Sequence, residues 1–121
     1  MSGRPHEGLD AWNKGIDLVE DIYKVTKDFP DEEKYGIVSQ LRRAAVSVPT
    51  NIAEGAGRRT KGDYIRFLFI ASGSISEVET LLAISERLDY IGEEVFKTLT
   101  DKSERVTALI GGLVKYLENR E

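Results

Sequence analysis

The chain has 121 residues, which is enough for one domain and too few for a second core of useful size. Hydrophobic residues make up 40% of the chain and charged residues 31%, a balance typical of a globular protein and too apolar for a wholly disordered one. The absence of cysteine excludes disulfide frameworks and thiolate metal sites, and the formal net charge of −4 argues against a uniformly basic nucleic-acid wrapper.

Neither a membrane span nor a secretory leader is visible in the hydropathy of the chain. The longest uninterrupted apolar run, residues 67–71, is far shorter than the roughly 20 residues that cross a bilayer. The first residues lack the charged and then apolar pattern of a leader. We therefore expect a cytoplasmic protein without a membrane partner.

Residues 1–8 are interpreted as a flexible N-terminal tail, and residues 9–119 as a single domain. Within that domain apolar positions recur at alternating spacings of three and four residues, which keeps them on one side of an α-helix. Four helices are predicted, with stripes at Leu9, Trp12, Ile16, Val19, Tyr23 and Thr26, at Ile37, Leu41, Ala44, Val48 and Ile52, at Phe67, Ala71, Ser74, Val78, Leu81, Ser85 and Leu88, and at Phe96, Leu99, Ser103, Val106, Ile110, Leu113 and Leu117.

Residues that end and start helices separate the four stripes. Pro30 ends the first stretch, and the acidic residues 31–33 suit the positive start of the second helix. Thr60 is predicted to cap the third helix, with Asp63 three residues on, and residues 89–92 separate the third helix from the fourth. Because these connections are short, the predicted fold is all-α, an antiparallel up-down-up-down four-helix bundle.

A second apolar stripe on the third helix lies beside the first, at Tyr64, Leu68, Ile75 and Leu82. Roughly half of the helix circumference is then apolar, which is more than a helix of an isolated four-helix monomer needs. We expect this surplus to be buried against another subunit of a homo-oligomer. A broad seam within one chain is the alternative.

Positive charge is concentrated between residues 42 and 66. Six basic residues and two acidic residues give this segment a net charge of +4, which leaves −8 for the rest of the chain. Such asymmetry steers polyanions to one place. The candidate nucleic-acid-binding residues are Arg42, Arg43, Arg58, Arg59, Lys61 and Arg66. Salt bridges within or between subunits are the alternative role for these side chains.

The segment between the two arginine pairs has an unusual composition for a helix and is a candidate structural or interface motif. Pro49 cannot donate a backbone hydrogen bond and is expected to kink or interrupt the second helix, with Asn51 helping to satisfy the freed groups. Glu54 precedes Arg58 by four residues, the favourable orientation for an ion pair. Gly55 weakens the helix, which requires a close neighbour or a bend.

The spacing of the arginines limits what they can contact together. On an ideal helix Arg43 and Arg58 are separated by about 60° around the axis and roughly 22 Å along it. Two phosphates of one nucleic-acid strand fit this separation, and so do two carboxylates of a neighbouring subunit. Arginine suits either role through its planar, bidentate donors.

No catalytic constellation is evident in the sequence. His6 is the only histidine and lies in the predicted tail, so a Ser–His pair, a histidine-bearing di-iron site and a helical zinc pair all lack a required residue. Residues 55–57 lack the lysine and the preceding strand of a phosphate-binding loop. We expect a protein that is not an enzyme and that uses no metal or cofactor.

Several sequence blocks are recognisable as a set. They lie around Trp12 and at residues 29–30, 33–36, 40–49, 51–55, 57–58, 67–68, 71–74, 77 and 88–91. In these blocks the chain resembles the four-helix-bundle proteins encoded within intervening sequences of bacterial 23S rRNA genes, over roughly residues 9–117. Asp89 is a departure, because the family more often has glycine there.

The resemblance implies a closed up-down bundle that assembles as a homopentamer. It also implies kinship with the accessory proteins of diversity-generating retroelements, which associate with a reverse transcriptase and with its template RNA. Two functions are therefore expected: an RNA-associated binding or assembly module that uses local basic patches, or a protein–protein scaffold or accessory subunit of a reverse transcriptase. Those accessory proteins are basic, whereas this chain is not, which limits an RNA-binding surface to local patches.

Overall fold

The computed structural model describes residues 4–120 and contains four long α-helices. They are α1 (Asp10–Thr26), α2 (Ile37–Ala56), α3 (Lys61–Arg87) and α4 (Glu93–Glu118). Short 3-10 helices precede α1 and α2, at Pro5–Gly8 and Asp31–Glu33. No strand occurs among the described residues, so the predicted all-α fold is confirmed.

The helices form a closed bundle in which each packs against its neighbours in the chain. The packed pairs are α1–α2, α2–α3, α3–α4 and α4–α1, and within residues 4–120 the diagonal pairs make no close backbone approach. This arrangement confirms the antiparallel up-down-up-down bundle. Side chains from all four helices fill the centre in two buried clusters, one toward each end.

The predicted stripes of α2 and α4 face this core, and so does that of α3 except for Leu88, which is 50% exposed. The stripe of α1 is only partly right. The buried residues of α1 are Ala11, Gly15, Leu18, Ile22 and Thr26. Of the predicted stripe only Thr26 is among them; Leu9, Trp12 and Val19 are partly buried against the core, and Tyr23 is 39% exposed. Small residues decide the choice, because they let α1 approach α2 closely: a Cβ built on Gly15 would lie 3.4 Å from the Pro49 Cβ.

The second apolar stripe of α3 is buried within the single chain. Leu68, Ile75 and Leu82 are each 1% exposed or less, and Tyr64 is partly buried. The broad intramolecular seam is therefore confirmed, and the expectation that this stripe covers another subunit is wrong. The bundle can bury a wide face of α3 because α2 and α4 flank it on both sides.

Two of the connections show how local residues end the helices. The Thr60 hydroxyl accepts a hydrogen bond from the Asp63 backbone N–H at 3.1 Å, which confirms the predicted N-cap of α3. At the other end of α3, Asp89 has a φ of 62°, in the left-handed region, and the Tyr90 N–H donates to the Ser85 carbonyl at 2.8 Å. Glycine adopts this conformation without strain, and aspartate is one of the few other residues that enter it routinely.

The acidic segment before α2 differs from its prediction. Asp31–Glu33 form a separate 3-10 helix, and α2 begins only at Ile37. Glu33 still serves the start of α2, because its Oε1 accepts the Ile37 N–H at 3.3 Å. Its Oε2 accepts the Tyr90 hydroxyl at 2.7 Å, and this hydrogen bond is the main cause that raises the pKa of Tyr90.

Pro49 does not interrupt α2, which runs through it to Ala56. Thr50 and Asn51 each donate a side-chain hydrogen bond to the carbonyl four residues earlier, at 2.7 and 2.8 Å. These two carbonyls follow the one that Pro49 leaves without its helical donor. Asn51 therefore supports the backbone beside the proline, although it does not replace the missing bond itself.

Part of the predicted tail packs against the bundle. Residues 1–3 lie outside the described residues. Pro5–Gly8 form a 3-10 helix that contacts α1 and α2, instead of a loose tail. An edge-on contact between the His6 and Trp12 rings, with centroids 4.9 Å apart, accounts for this packing.

Helix α3 is long and apolar enough, by length and composition, to cross a membrane, which the search for uninterrupted apolar runs missed. A single helix of this kind is weak evidence, because the core helix of a soluble protein passes the same test. The expectation that the protein has no membrane partner stays a prediction.

Candidate nucleic-acid interface

The six predicted basic residues fall in two places on the molecule. Arg42 and Arg43 lie near the middle of α2, whereas Arg58, Arg59, Lys61 and Arg66 surround the connection between α2 and α3. We call the second place, residues 57–66, the α2–α3 corner. Arg43 and Arg58 are fifteen positions apart, which corresponds to roughly 22 Å along a helix, so the two groups form separate parts of the surface.

Arg42 is engaged within the chain. Its Nε donates to the Thr26 hydroxyl at 2.9 Å and its Nη2 to the Tyr23 carbonyl at 3.4 Å. The guanidinium also lies over the Tyr23 ring, 4.5 Å from its centroid. Cations at a helix C-terminus are favourable, and Arg42 ties α2 to the end of α1 in this way. Two of its five N–H donors and one face of the guanidinium are therefore already used within the chain.

At the α2–α3 corner, two of the arginines are paired with carboxylates of their own helices. Arg58 lies 2.8 Å from Glu54, which confirms the predicted ion pair, and Arg66 lies 3.1 Å from Asp63. Both guanidiniums lie over Phe67, 4.6 and 4.5 Å from the ring centroid. Exposed pairs of this kind add little stability. Their main consequence is that two of the corner cations are already partly neutralised.

A further arginine joins the corner from the end of α4. The Lys61 ammonium donates to the Arg120 carbonyl at 2.8 Å. The charge of Arg120 also acts on Tyr64, whose pKa is raised by burial and, to a smaller extent, lowered by that arginine. Sequence analysis missed Arg120 because it is distant in the chain and only the closed bundle brings it to the corner.

Arg43 and Arg59 are the two members of the predicted set that form neither an ion pair nor a hydrogen bond within the part of the chain that the structure describes. Both side chains are exposed. One lies in the middle of α2 and the other at the α2–α3 corner. Unpaired guanidiniums on an otherwise acidic chain are the positions where an anionic ligand meets the least competition.

A polar cleft of about 470 Å³ lies beside Arg43, between α2 and α3. We call it the α2–α3 cleft, and the residues that matter in it are Tyr35, Gln40, Arg43, Ser47 and Glu77. The Tyr35 ring is 88% exposed. Sequence analysis missed Tyr35 because it lies just before α2, where helix periodicity says nothing about it.

A second depression, of about 680 Å³, runs along the outer side of α1 and α2. It is mainly apolar, and the Glu54–Arg58 pair lies at its edge. We call it the α1–α2 groove, and its apolar members are Trp12, Ile16, Val19, Val46, Pro49 and Ala53. Three of these, Trp12, Ile16 and Val19, belong to the predicted stripe of α1 and are only partly buried.

Gly55, a member of the predicted structural motif, lies at a close approach of α2 to α3. A Cβ at this position would lie 3.0 Å from both the Tyr64 carbonyl oxygen and the Phe67 Cβ. The expected close neighbour is therefore confirmed, and it belongs to the first turns of α3. This contact sets the geometry of the α2–α3 corner.

Residues 4–120 contain no group of three or more histidine or acidic side chains placed to hold a metal ion. The pKa of Glu79 is raised by burial and by the nearby charge of Glu104, which is a local repulsion between two helices. That the protein is not an enzyme stays a prediction.

Comparison with known proteins bears on the same residues. A family model described as 23S rRNA-intervening sequence protein matches residues 7–112. The chain belongs to this family. No curated protein matches the sequence.

A solved structure shows the same fold. It is the 1.70 Å crystal structure of a protein of unknown function from the S23 ribosomal protein family of Bacteroides thetaiotaomicron. The TM-score is 0.80 at 24% identity, and the match covers 87% of this chain and 98% of that chain. In the present chain, three of the sequence blocks on which the resemblance depends, residues 33–36, 40–49 and 77, each contribute to the lining of the α2–α3 cleft.

Proposed function

We propose that the protein is a non-enzymatic RNA-binding module that holds phosphates with Arg43 and Arg59. The observation that carries the proposal is that, among the arginines of the positively charged segment 42–66, Arg43 and Arg59 alone are exposed and form neither an ion pair nor a hydrogen bond within residues 4–120. A guanidinium offers planar, bidentate donors that match a phosphate, and no ion pair has to be broken before it binds.

The surroundings of Arg59 favour a polyanion over a single small anion. Arg58, Lys61, Arg66 and Arg120 all lie at or near the α2–α3 corner, whereas the chain as a whole carries a net charge of −4. The acidic remainder repels RNA, so the corner and the middle of α2 are where a strand is held. Assembly of several copies, expected as a homopentamer, would repeat this surface and raise the avidity.

The double variant Arg43→Gln/Arg59→Gln tests this function. We expect the wild type to bind a structured RNA with an affinity that falls steeply with salt, because phosphate contacts release counterions. The variant is expected to lose about tenfold or more in affinity at low salt, and its salt slope to fall by about 2 for each chain in contact with RNA. Fluorescence anisotropy across a salt series measures both.

A matched control removes the same charge elsewhere. Arg87 and Arg105, on α3 and α4, are likewise exposed and without a partner among residues 4–120, but they lie outside the positively charged segment 42–66. Arg87→Gln/Arg105→Gln gives the same net charge. We expect this control to bind like the wild type. Equal losses in the two double variants, or no binding by the wild type at low salt, would contradict the proposed function.

The α1–α2 groove favours a second candidate function, a protein–protein scaffold or an accessory subunit of a reverse transcriptase. Apolar side chains that line an exposed groove offer a surface on which another protein can pack. The groove fits either a second copy of this chain or the partner protein. Self-assembly through the groove would supply the homo-oligomer that the second stripe of α3 does not explain.

A charge placed in the groove tests self-assembly. Val46 is 40% exposed in the groove, and Val95, on α4, is 38% exposed and outside it. We expect Val46→Glu to lower the mass measured by light scattering, and Val95→Glu to leave it unchanged. A wild type that remains at 13.5 kDa would contradict self-assembly.

The same light-scattering measurement separates the two candidate functions at Arg43. If Arg43 binds RNA, the Arg43→Gln variant keeps the mass of the wild type and binds RNA weakly. If Arg43 instead forms a subunit salt bridge, as the alternative role for the arginines requires, the variant loses mass.

A further inference from the structure

We infer that the α2–α3 cleft holds one unpaired nucleotide of the bound RNA and selects cytosine over uracil. This inference rests on the proposed RNA-binding function and adds a base-specific contact to it. Three features of the cleft support it: two charges that do not pair, the exposed Tyr35 ring, and the hydrogen bonds that hold the segment carrying Tyr35.

The cleft contains one cation and one anion that do not pair with each other. Arg43 lies on α2 and Glu77 on α3, and both line the cleft. Neither forms an ion pair or a hydrogen bond with any other residue that the structure describes. A ligand that fits between them must carry an anionic group for the guanidinium and N–H donors for the carboxylate.

Tyr35 supplies a flat surface at the same cleft. Its ring is 88% exposed, and the Lys34 ammonium lies 5.5 Å from the ring centroid. A large aromatic side chain left in water beside a cation is the arrangement on which nucleic-acid bases stack. Single-stranded RNA is bound in this way, with unstacked bases placed on aromatic rings and hydrogen-bonded along their edges.

The short segment that carries Tyr35 is held in place on both sides. Glu33, two residues earlier, accepts hydrogen bonds from the Ile37 N–H and from the Tyr90 hydroxyl. Gly36 allows this contact, because a Cβ there would lie 2.6 Å from the Glu33 Oε1. The backbone that carries Tyr35 is thus held by the bundle before a ligand arrives, which reduces the entropy cost of binding.

A nucleotide matches the chemistry of the cleft better than a protein segment does. The centre of a protein interface is mostly apolar, whereas Gln40, Arg43, Ser47 and Glu77 make this cleft polar. A phosphate suits Arg43, and a base stacks on Tyr35. The ionised carboxylate of Glu77 can only accept hydrogen bonds. The N4 amino group of cytosine offers it two N–H donors, whereas the single N3–H of uracil lies between two carbonyl oxygens that repel a carboxylate.

The test compares two oligonucleotides of equal length and charge, octacytidylate and octauridylate, by fluorescence anisotropy at one low salt concentration. We expect the wild type to bind octacytidylate about tenfold more tightly, and Glu77→Gln to abolish the preference because an amide both donates and accepts. Glu94→Gln, an exposed glutamate at the start of α4, is the charge-matched control and should keep the preference. Tyr35→Leu should weaken both complexes about tenfold.

Tyr116→Leu is the control for the loss of an exposed tyrosine, since Tyr116 is 60% exposed on α4. Equal binding of the two oligonucleotides by the wild type would overturn the inference. The proposed function would survive that result if Arg43→Gln/Arg59→Gln still weakened the binding of structured RNA. Failure of the wild type to bind any RNA would overturn both. If Tyr35→Leu or Glu77→Gln left RNA binding unchanged and lowered the oligomer mass, the cleft would be a protein contact and the inference would be wrong.

Discussion

Replacement of Leu68 by alanine is expected to lower the free energy of unfolding by about 2–5 kcal/mol, the range for deletion of a fully buried leucine side chain. Leu68 is 0% exposed and lies in the buried cluster that Val48, Ile52 and Val106 share. The lost contacts and the residual cavity both contribute to the cost. Urea denaturation followed by circular dichroism, at one fixed protomer concentration, measures the change.

The next residue provides the control for this prediction. Phe69 is 60% exposed on the outer side of α3, and Phe69→Ala is expected to change the free energy of unfolding by less than about 0.5 kcal/mol. A small cost at Leu68 would contradict the assignment of the second stripe to the core. A large cost at Phe69 would show that another chain covers the outer face of α3, contrary to the surface that we assign to self-assembly.

Alanine at Gly55 and alanine at Gly73 are expected to have opposite effects. Gly55→Ala should destabilise the protein by about 1–3 kcal/mol, because the new Cβ would press on the Tyr64 carbonyl oxygen and the Phe67 Cβ, each 3.0 Å away. Backbone atoms in a packed helix cannot move aside cheaply. Thermal and urea denaturation of the two variants at the same protomer concentration measures both effects.

At Gly73 nothing lies within 4 Å of the position of a Cβ. Alanine there should stabilise the protein by about 0.5–1 kcal/mol, because its helix propensity is higher and no neighbour is displaced. If Gly55→Ala were as stabilising as Gly73→Ala, α2 and α3 would not approach each other as the structure shows. The geometry of the α2–α3 corner would then need revision.

The fold was predictable because its determinants are periodic and local. The stripes of α2 and α4 and the Thr60 cap depend on residues close in sequence, and the structure confirms them. The stripe of α1 was not predictable from hydrophobicity, since two apolar stripes lie side by side. Gly15 decides between them by its fit against Pro49, and that contact joins residues of different helices.

The candidate site was predictable only as a set of charges. Sequence separation of four residues was enough to foresee the Glu54–Arg58 pair. It could not reveal that Arg42 is used by α1, which requires the packing of two helices. The meeting of Tyr35 with Glu77 at one cleft likewise depends on the placement of α3 beside α2.

An amide-resolved NMR titration with a short single-stranded RNA tests most directly whether the unpaired arginines hold RNA. We predict chemical-shift changes concentrated at residues 35–47, which include Arg43, and at residues 57–62, which include Arg59. Changes confined to the α1–α2 groove, or a spectrum that the RNA leaves unaltered at low salt, would contradict the account.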